Sequence, residues 1–166
     1  MKLKDILPLF VIFFSLVAWT PVSERVRYVT DGDTIVAGKT KVRLIGVSAP
    51  EVAWPTYHKK GECFGPEAKK WLTSRLLGKR VTLNPDPLAP KHDRYGRLLA
   101  VVNYRGKNMN EEMIGKGYAL APTHFPHSRM KNFVALEKEA KKAKRGLWGE
   151  CRVWCRGDFC KTAYPR

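Results

Sequence analysis

Negative charge is scarce in this sequence. Fifteen Asp and Glu stand against 31 Lys and Arg, a formal net charge of +16 over 166 residues. That shortage excludes an acidic surface. The basic residues run along the whole chain rather than in one tail, so the folded surface is expected to be positive and its partner a polyanion, nucleic acid or anionic lipid. Internal repeats are also absent, which leaves one domain as the default for this length. Missing too is any apolar run of the roughly 20 residues that a membrane-spanning helix needs. The run Ile6–Trp19 holds fourteen residues and follows Lys2 and Lys4. That layout predicts a signal peptide or a retained N-terminal anchor over residues 1–23. No Ala-x-Ala closes it, which leaves Ala18 or Thr20 at the cleavage position. In either form the body of the protein is expected to be exported: secreted, periplasmic or on the cell surface.

Cysteines are few: Cys63, Cys151, Cys155 and Cys160. Their spacing lacks the C-x2-C clip of a structural zinc site. An even number in an exported chain predicts two disulfides, with three pairings open.

After the leader, "ERVRYVT" alternates apolar and polar residues, "DGDT" reads as a turn, and "TIVAG" and "KTKVRLIGV" are rich in β-branched residues. The last two, joined by "AGKT", form a predicted hairpin. In the turn, Asp31 and Asp33 are turn formers and Gly32 supplies conformational freedom. "PEAKKWLTSRLLGKR" carries helix start and stop signals: Pro66 at the first position, Glu67 in the first turn, Gly78 past the end. "RVTLN" and "RLLAVVNY" are two further strands around the loop "PDPLAPKHDRYG". "NMNEEMIGKGYA" predicts a short helix ending at Gly115 or Gly117. "SRMKNFVALEKEAKKAKRG" predicts a longer one, with Ser128 as N-cap and Gly146 at its end. The pattern is α+β but mainly β: a five-stranded barrel of the oligonucleotide-binding kind, an OB-fold, with about three packed helices.

Four charged residues exceed what strands and turns require: Asp33, Arg43 inside a strand, Glu51 after Pro50, and Arg97 in "DRYGR". Together they form the set that phosphodiester hydrolysis needs. A scissile phosphate gathers charge as an oxygen nucleophile attacks, and two guanidinium forks match its oxygens. One carboxylate can orient or deprotonate the attacking water. A second can hold a hard cation that polarises the phosphoryl oxygen.

The segments "VTDGDTIVAGKTKVRLIGVSAPE", "CFGPEAKKWL", "DRYGRLLAVV", "GKGYA" and "GLWGEC", in this order and spacing from about Arg25 to Cys151, resemble the staphylococcal nuclease (thermonuclease) family. The resemblance implies a five-stranded barrel with three helices and a calcium-dependent enzyme that cleaves DNA and RNA. It divides the chain into a leader (1–23), a nuclease domain (24–150) and a cysteine-containing tail (151–166). By position, Asp33 looks like the main calcium-binding aspartate, and Ala49 would add its backbone carbonyl. Arg43 and Arg97 look like the phosphate-binding arginines, and Glu51 like the general base. Arg94 and Tyr95 fall where the family contacts the nucleotide's terminal phosphate. Thr123 and Phe125 stand where it has tyrosines lining the nucleotide pocket; Phe125 can stack a base and Thr123 cannot.

Ser48 departs from the pattern, standing where the family's "DTPE" or "DAPE" motif has an aspartate that is a second calcium ligand. A neutral hydroxyl there implies weaker binding of a single Ca2+, a need for more metal, or a changed preference, unless Asp31 or Glu51 moves in. The resemblance also implies the pairing Cys63–Cys151 and Cys155–Cys160. The expected partners are DNA and RNA, with no protein partner, membrane contact only through the N-terminal apolar segment, and a monomeric state. The rival reading, from a different class, is a nucleic-acid-binding barrel that has lost catalysis through Ser48.

Overall fold

The computed structural model describes residues 20–53, 60–157 and 159–165; the predicted leader, up to residue 19, lies outside them. Among the described residues no helix is long and apolar enough to cross a membrane.

Five strands close into a barrel: β1 (Val22–Val29), β2 (Thr34–Ala37), β3 (Thr40–Leu44), β4 (Arg80–Asn84) and β5 (Leu98–Tyr104). β1 holds it together by pairing on both sides. Its first half lies antiparallel to β4, from Val22 opposite Leu83 to Arg25 opposite Arg80. Its second half pairs with β2, Val26 opposite Ala37 and Val29 opposite Ile35, with the register shifting between Val26 and Tyr28. Such a bulge bends a strand and increases its twist, which lets one strand serve two sheet faces. The predicted hairpin is β2–β3, turning at Gly38 and Lys39 with Ala37 opposite Thr40. The one parallel pairing among these strands closes the barrel: Val42, Arg43 and Leu44 of β3 lie against Leu98, Leu99 and Ala100 of β5.

Alternation along the strands sends Val26, Ile35, Val42, Leu44, Val81 and Val102 into one core. Helix α1 (Gly65–Leu76) covers it with Ala68, Leu72 and Leu76, spaced four apart on one stripe. A short strand β6 (Lys107–Asn108) leads into α2 (Met109–Gly115), where the Asn108 side chain accepts from the N–H groups of Asn110 and Glu111 and so caps the helix. Asn110 is fully buried and satisfied: its amide accepts from Val102 N–H at 2.9 Å and donates to Ile45 O at 2.8 Å. α3 (Met130–Lys142) packs Phe133 beneath the barrel.

Two expectations need correction. Ser128 is not a helix cap: α3 starts two residues later, and Ser128 instead donates its hydroxyl (2.6 Å) and N–H to the buried carboxylate of Asp86. A buried carboxylate demands donors more strongly than an exposed helix end does, so the serine serves the carboxylate. The helix also stops short of Gly146, because Lys144 turns to φ 51° and a single-turn helix α4 (Leu147–Glu150) follows. The cysteine-containing tail pairs into a hairpin of β7 (Arg152–Arg156) and β8 (Phe159–Ala163). Two disulfides staple this end: Cys63–Cys151, with Cα atoms 5.9 Å apart, and Cys155–Cys160 at 4.0 Å across the hairpin.

Candidate active site

The turn between β1 and β2 presses against α1 and the segment after β3. A Cβ built on Gly32 would stand 2.5 Å from Ala49 Cβ and 2.8 Å from Ala68 Cβ. Its φ is not in the left-handed region, so glycine is needed for room, not for the conformational freedom that the turn motif suggests. This close approach brings Asp33 to Ala49, whose N–H donates to Asp33 Oδ2 at 2.9 Å. Thr34 Oγ1 donates to Asp33 Oδ1 at 3.0 Å. Arg43, directly opposite Thr34 in the hairpin, pairs its Nη1 with the same Oδ1.

The parallel pairing of β3 with β5 then decides what else Arg43 meets. Arg43 lies opposite Leu99, two residues past Arg97, so two arginines 54 positions apart in sequence share one mouth of the barrel. Burial pulls the Arg43 guanidinium down to about 10, against Asp31, Glu51 and Asp93, which raise it, and alongside Arg97, which lowers it further. It therefore stays charged at neutral pH. Asp31, half-buried beside it, is raised above the ordinary carboxyl range by desolvation, which outweighs the opposing pull of Arg43, Thr34 and Arg97. Four separate segments thus deliver Asp31 and Asp33, Arg43, Glu51, and Asp93 with Arg97 to one place.

Each arginine has a carboxylate at its back. A guanidinium has five N–H donors, so a pair on one edge leaves others to face a phosphate. The Arg97 side chain is one-quarter exposed, and its Nε donates to Asp93 Oδ2 at 2.6 Å. Asp93 Oδ1 accepts from the N–H groups of Tyr95 and Arg97 at 2.9 and 3.0 Å, and Gly96 N–H closes the turn on Asp93 O at 3.0 Å. Burial would raise the Asp93 carboxyl, but these N–H donors and the Arg97 charge hold it below its ordinary value. Asp93 was not singled out by sequence, although "DRYG" bears the signature of a type I turn, Asp at its first position and Gly at its fourth.

The Glu51 backbone is tied at both ends to the approach to α1: Glu62 N–H donates to Glu51 O at 2.8 Å, and Glu51 N–H to Glu62 Oε2 at 3.4 Å. Gly65 packs so close that a Cβ there would meet Glu51 O at 2.4 Å. The Cys63–Cys151 bridge anchors the same segment.

Arg94 and Tyr95 lie on the exposed Asp93–Gly96 turn. Arg94 Nη2 donates to the Tyr95 hydroxyl at 2.6 Å, and the guanidiniums of Arg94 and Arg97 lie 4.8 and 5.3 Å from its ring centroid. Thr123 and Phe125 belong to a different wall. Ser48 exchanges two 2.9 Å backbone hydrogen bonds with Leu120, which fixes the segment that carries them. His124, absent from the sequence-based site, sets its ring between those of Phe125 (4.2 Å) and Phe159 (4.8 Å), tilted to both.

Among the described residues no group of three or more His, Cys, Asp or Glu side chains is placed to hold a metal ion. Oxygen donors suited to a hard cation lie close along the chain and across this contact: Asp31 Oδ1 accepts from Asp33 N–H at 3.1 Å, and Asp33 Oδ2 accepts from Ala49 N–H at 2.9 Å. They fit such an ion as a partial set, with Ser48 contributing no charge.

Residues 41–150 match the family described as staphylococcal nuclease homologue. An uncharacterized protein of Bacillus anthracis is 39% identical over 133 residues, covering 76% of this chain and 61% of that one. Endonuclease YhcR of Bacillus subtilis is 37% identical over 141 residues, 74% of this chain but 11% of that much longer protein. The thermonuclease of Staphylococcus intermedius is 34% identical over 131 residues, 76% of each chain.

Proposed function

The chain belongs to the staphylococcal nuclease homologue family, and from that premise we propose that it is an exported nuclease hydrolysing phosphodiester bonds of DNA and RNA with the help of a divalent cation. One observation carries the reading: Arg43 and Arg97 meet at the barrel mouth, each braced by an aspartate, with Glu51 within electrostatic reach.

In this reading the two guanidiniums bind the scissile phosphate and stabilise the charge that builds on its oxygens as the nucleophile attacks. Glu51 orients the attacking water and accepts its proton. Its tethered backbone keeps the carboxylate from drifting as charge develops. Arg94 and Tyr95 lie on the exposed turn beside Arg97, placed to meet a neighbouring phosphate. Asp31, Asp33 and the Ala49 carbonyl would hold the cation, calcium by family analogy. A hard cation held there would polarise a phosphoryl oxygen and offset the charge of these carboxylates. With Ser48 in place of a carboxylate, that cation would be bound weakly and needed at higher concentration.

The test is degradation of heat-denatured DNA and of RNA in calcium, magnesium, manganese or chelator. Cleavage with at least one metal and none with chelator is expected. Binding of DNA without cleavage in any metal would leave only the nucleic-acid-binding reading. Export is tested by expressing the whole chain and finding the folded domain outside the cytoplasm.

A further inference from the structure

The β7–β8 hairpin begins at Arg152, beyond the residues that match the family, and its two faces differ. Val153, Cys155, Cys160 and Thr162 share the face toward the domain, where Thr162 is buried and its hydroxyl donates to Cys63 O at 2.6 Å. The other face is exposed and alternates in type. Trp154 lies opposite Lys161, Phe159 opposite Arg156, and Arg152 opposite Ala163. Trp154 is 54% exposed and Phe159 70%. Hydrophobic rings left in water on a disulfide-closed hairpin, each beside a cation, are poor core and good stacking platform.

Phe159 also extends the candidate site. Its ring contacts His124, which contacts Phe125, so three rings run in series from the expected nucleotide wall to the hairpin. Beneath them a cleft of about 200 Å³ lies between Ser48 and Thr123 on one side and Phe159 and Cys160 on the other. Among the described residues that line it, the one carboxylate, Glu137, is paired with Lys141.

We propose that the outer face of the β7–β8 hairpin is a second binding surface for single-stranded nucleic acid, continuing the track of the strand that enters the active site, with Trp154 and Phe159 stacking bases and Arg152, Arg156 and Lys161 meeting phosphates. The proposal rests on the nuclease reading. Bases stack on aromatic rings whatever their identity, and cations between the rings follow the backbone; that combination suits single strands rather than duplexes.

The test uses the folded domain with both disulfides intact, in chelator, and fluorescein-labelled oligothymidylates of about 4 and about 16 nucleotides. The parent is expected to bind the longer strand more tightly. Trp154→Ala/Phe159→Ala should weaken binding of the longer strand roughly tenfold or more, by the loss of stacked bases, and weaken the shorter one far less. Arg156→Glu/Lys161→Glu, which keeps both rings, should weaken the longer strand as well and flatten its logarithmic salt dependence by about 1.4. Parent-like binding of the longer strand by both variants would overturn the proposal. So would loss of binding to phosphatidylserine vesicles with DNA binding intact, which would assign the face to lipid. Cleavage of the shorter strand in divalent cations, independent of the hairpin, tests the nuclease reading separately. Hairpin-dependent binding without any cleavage would support the surface and refute the enzyme.

Discussion

The barrel mouth and the C-terminal hairpin both carry arginines, yet they hold that positive charge in opposite ways. At the mouth, Arg43 and Arg97 are partly buried and each is gripped by a carboxylate, Asp33 or Asp93. On the hairpin, Arg152, Arg156 and Lys161 stand exposed between rings. A buried, hydrogen-bonded guanidinium is held in one geometry and is only weakly screened by salt, which is what stabilising a transition state demands. An exposed cation adapts to whatever phosphate passes, and its attraction fades as salt rises. On the proposed reading the same residue types would serve chemistry in one place and adhesion in the other, and the difference lies in what stands behind them.

Removing a mouth arginine should separate the two regions most sharply. Arg43→Ala and Arg97→Ala are each expected to cut turnover by roughly 10²–10³-fold, with the salt dependence of binding to long strands little changed. Near-parental turnover in steady-state cleavage of denatured DNA would remove that arginine from the chemistry. Next in size is Asp93→Asn, which keeps an acceptor for the turn's N–H groups and discards the charge behind Arg97. A fall of about tenfold, mostly in kcat and little in KM, is expected of a positioning residue. A change in KM alone would mean that Asp93 serves only the fold of its turn.

Ser48→Asp addresses the boundary between the regions, since Ser48 adjoins Ala49 on the site side and lines the cleft toward the hairpin. It is expected to lower the calcium concentration for half-maximal cleavage several-fold, by adding a second carboxylate to the donor set. An unchanged calcium titration would put residue 48 outside that set.

The smallest effect on activity belongs to Asp86→Asn, which acts on stability. Burial would raise the Asp86 carboxyl, but bonds from the Ser128 hydroxyl and N–H and from Leu88 N–H outweigh it and hold it below 3.8. A carboxyl depressed in the folded state stabilises at pH values above the unfolded value, and that gain disappears as the pH falls through the folded one. The variant should therefore lose about 2 kcal/mol at neutral pH, and the gap to the parent in denaturant melts should close below pH 3.8. A gap that persists in acid would show that the Asp86 charge is not what anchors the start of α3.

Much of the fold was legible because its signals are local. The β2–β3 hairpin, the start of α1 at Gly65 and Pro66, and the two strands around the proline-rich loop all appear near their expected positions. The charged residues of the candidate site were legible as types that strands and turns do not need. Asp93 was overlooked because an aspartate opening a turn looks like turn chemistry alone, and only its 2.6 Å contact with Arg97 reveals a second duty. Ser128 misled for the opposite reason: its position suits a cap, while the carboxylate that claims it lies 42 residues away. The tail concealed a hairpin because a five-residue alternation closed by two cysteines is too short to carry a core of its own. It gains order from its docking on the start of α1.

By itself the sequence determined the kinds of element, the excess of positive charge and the residues available for phosphate chemistry, since periodicity, turn signals and side-chain chemistry are properties of neighbours along the chain. Only the tertiary structure decided which of those residues meet. The parallel seam between β3 and β5, formed by barrel closure and core burial rather than by any local signal, brings Arg43 to Arg97. The docking of the hairpin sets a basic, aromatic face at the end of the ring series that begins at Phe125. Contacts between distant segments depend on how their apolar faces share one interior, and that is settled by the packing of the whole chain.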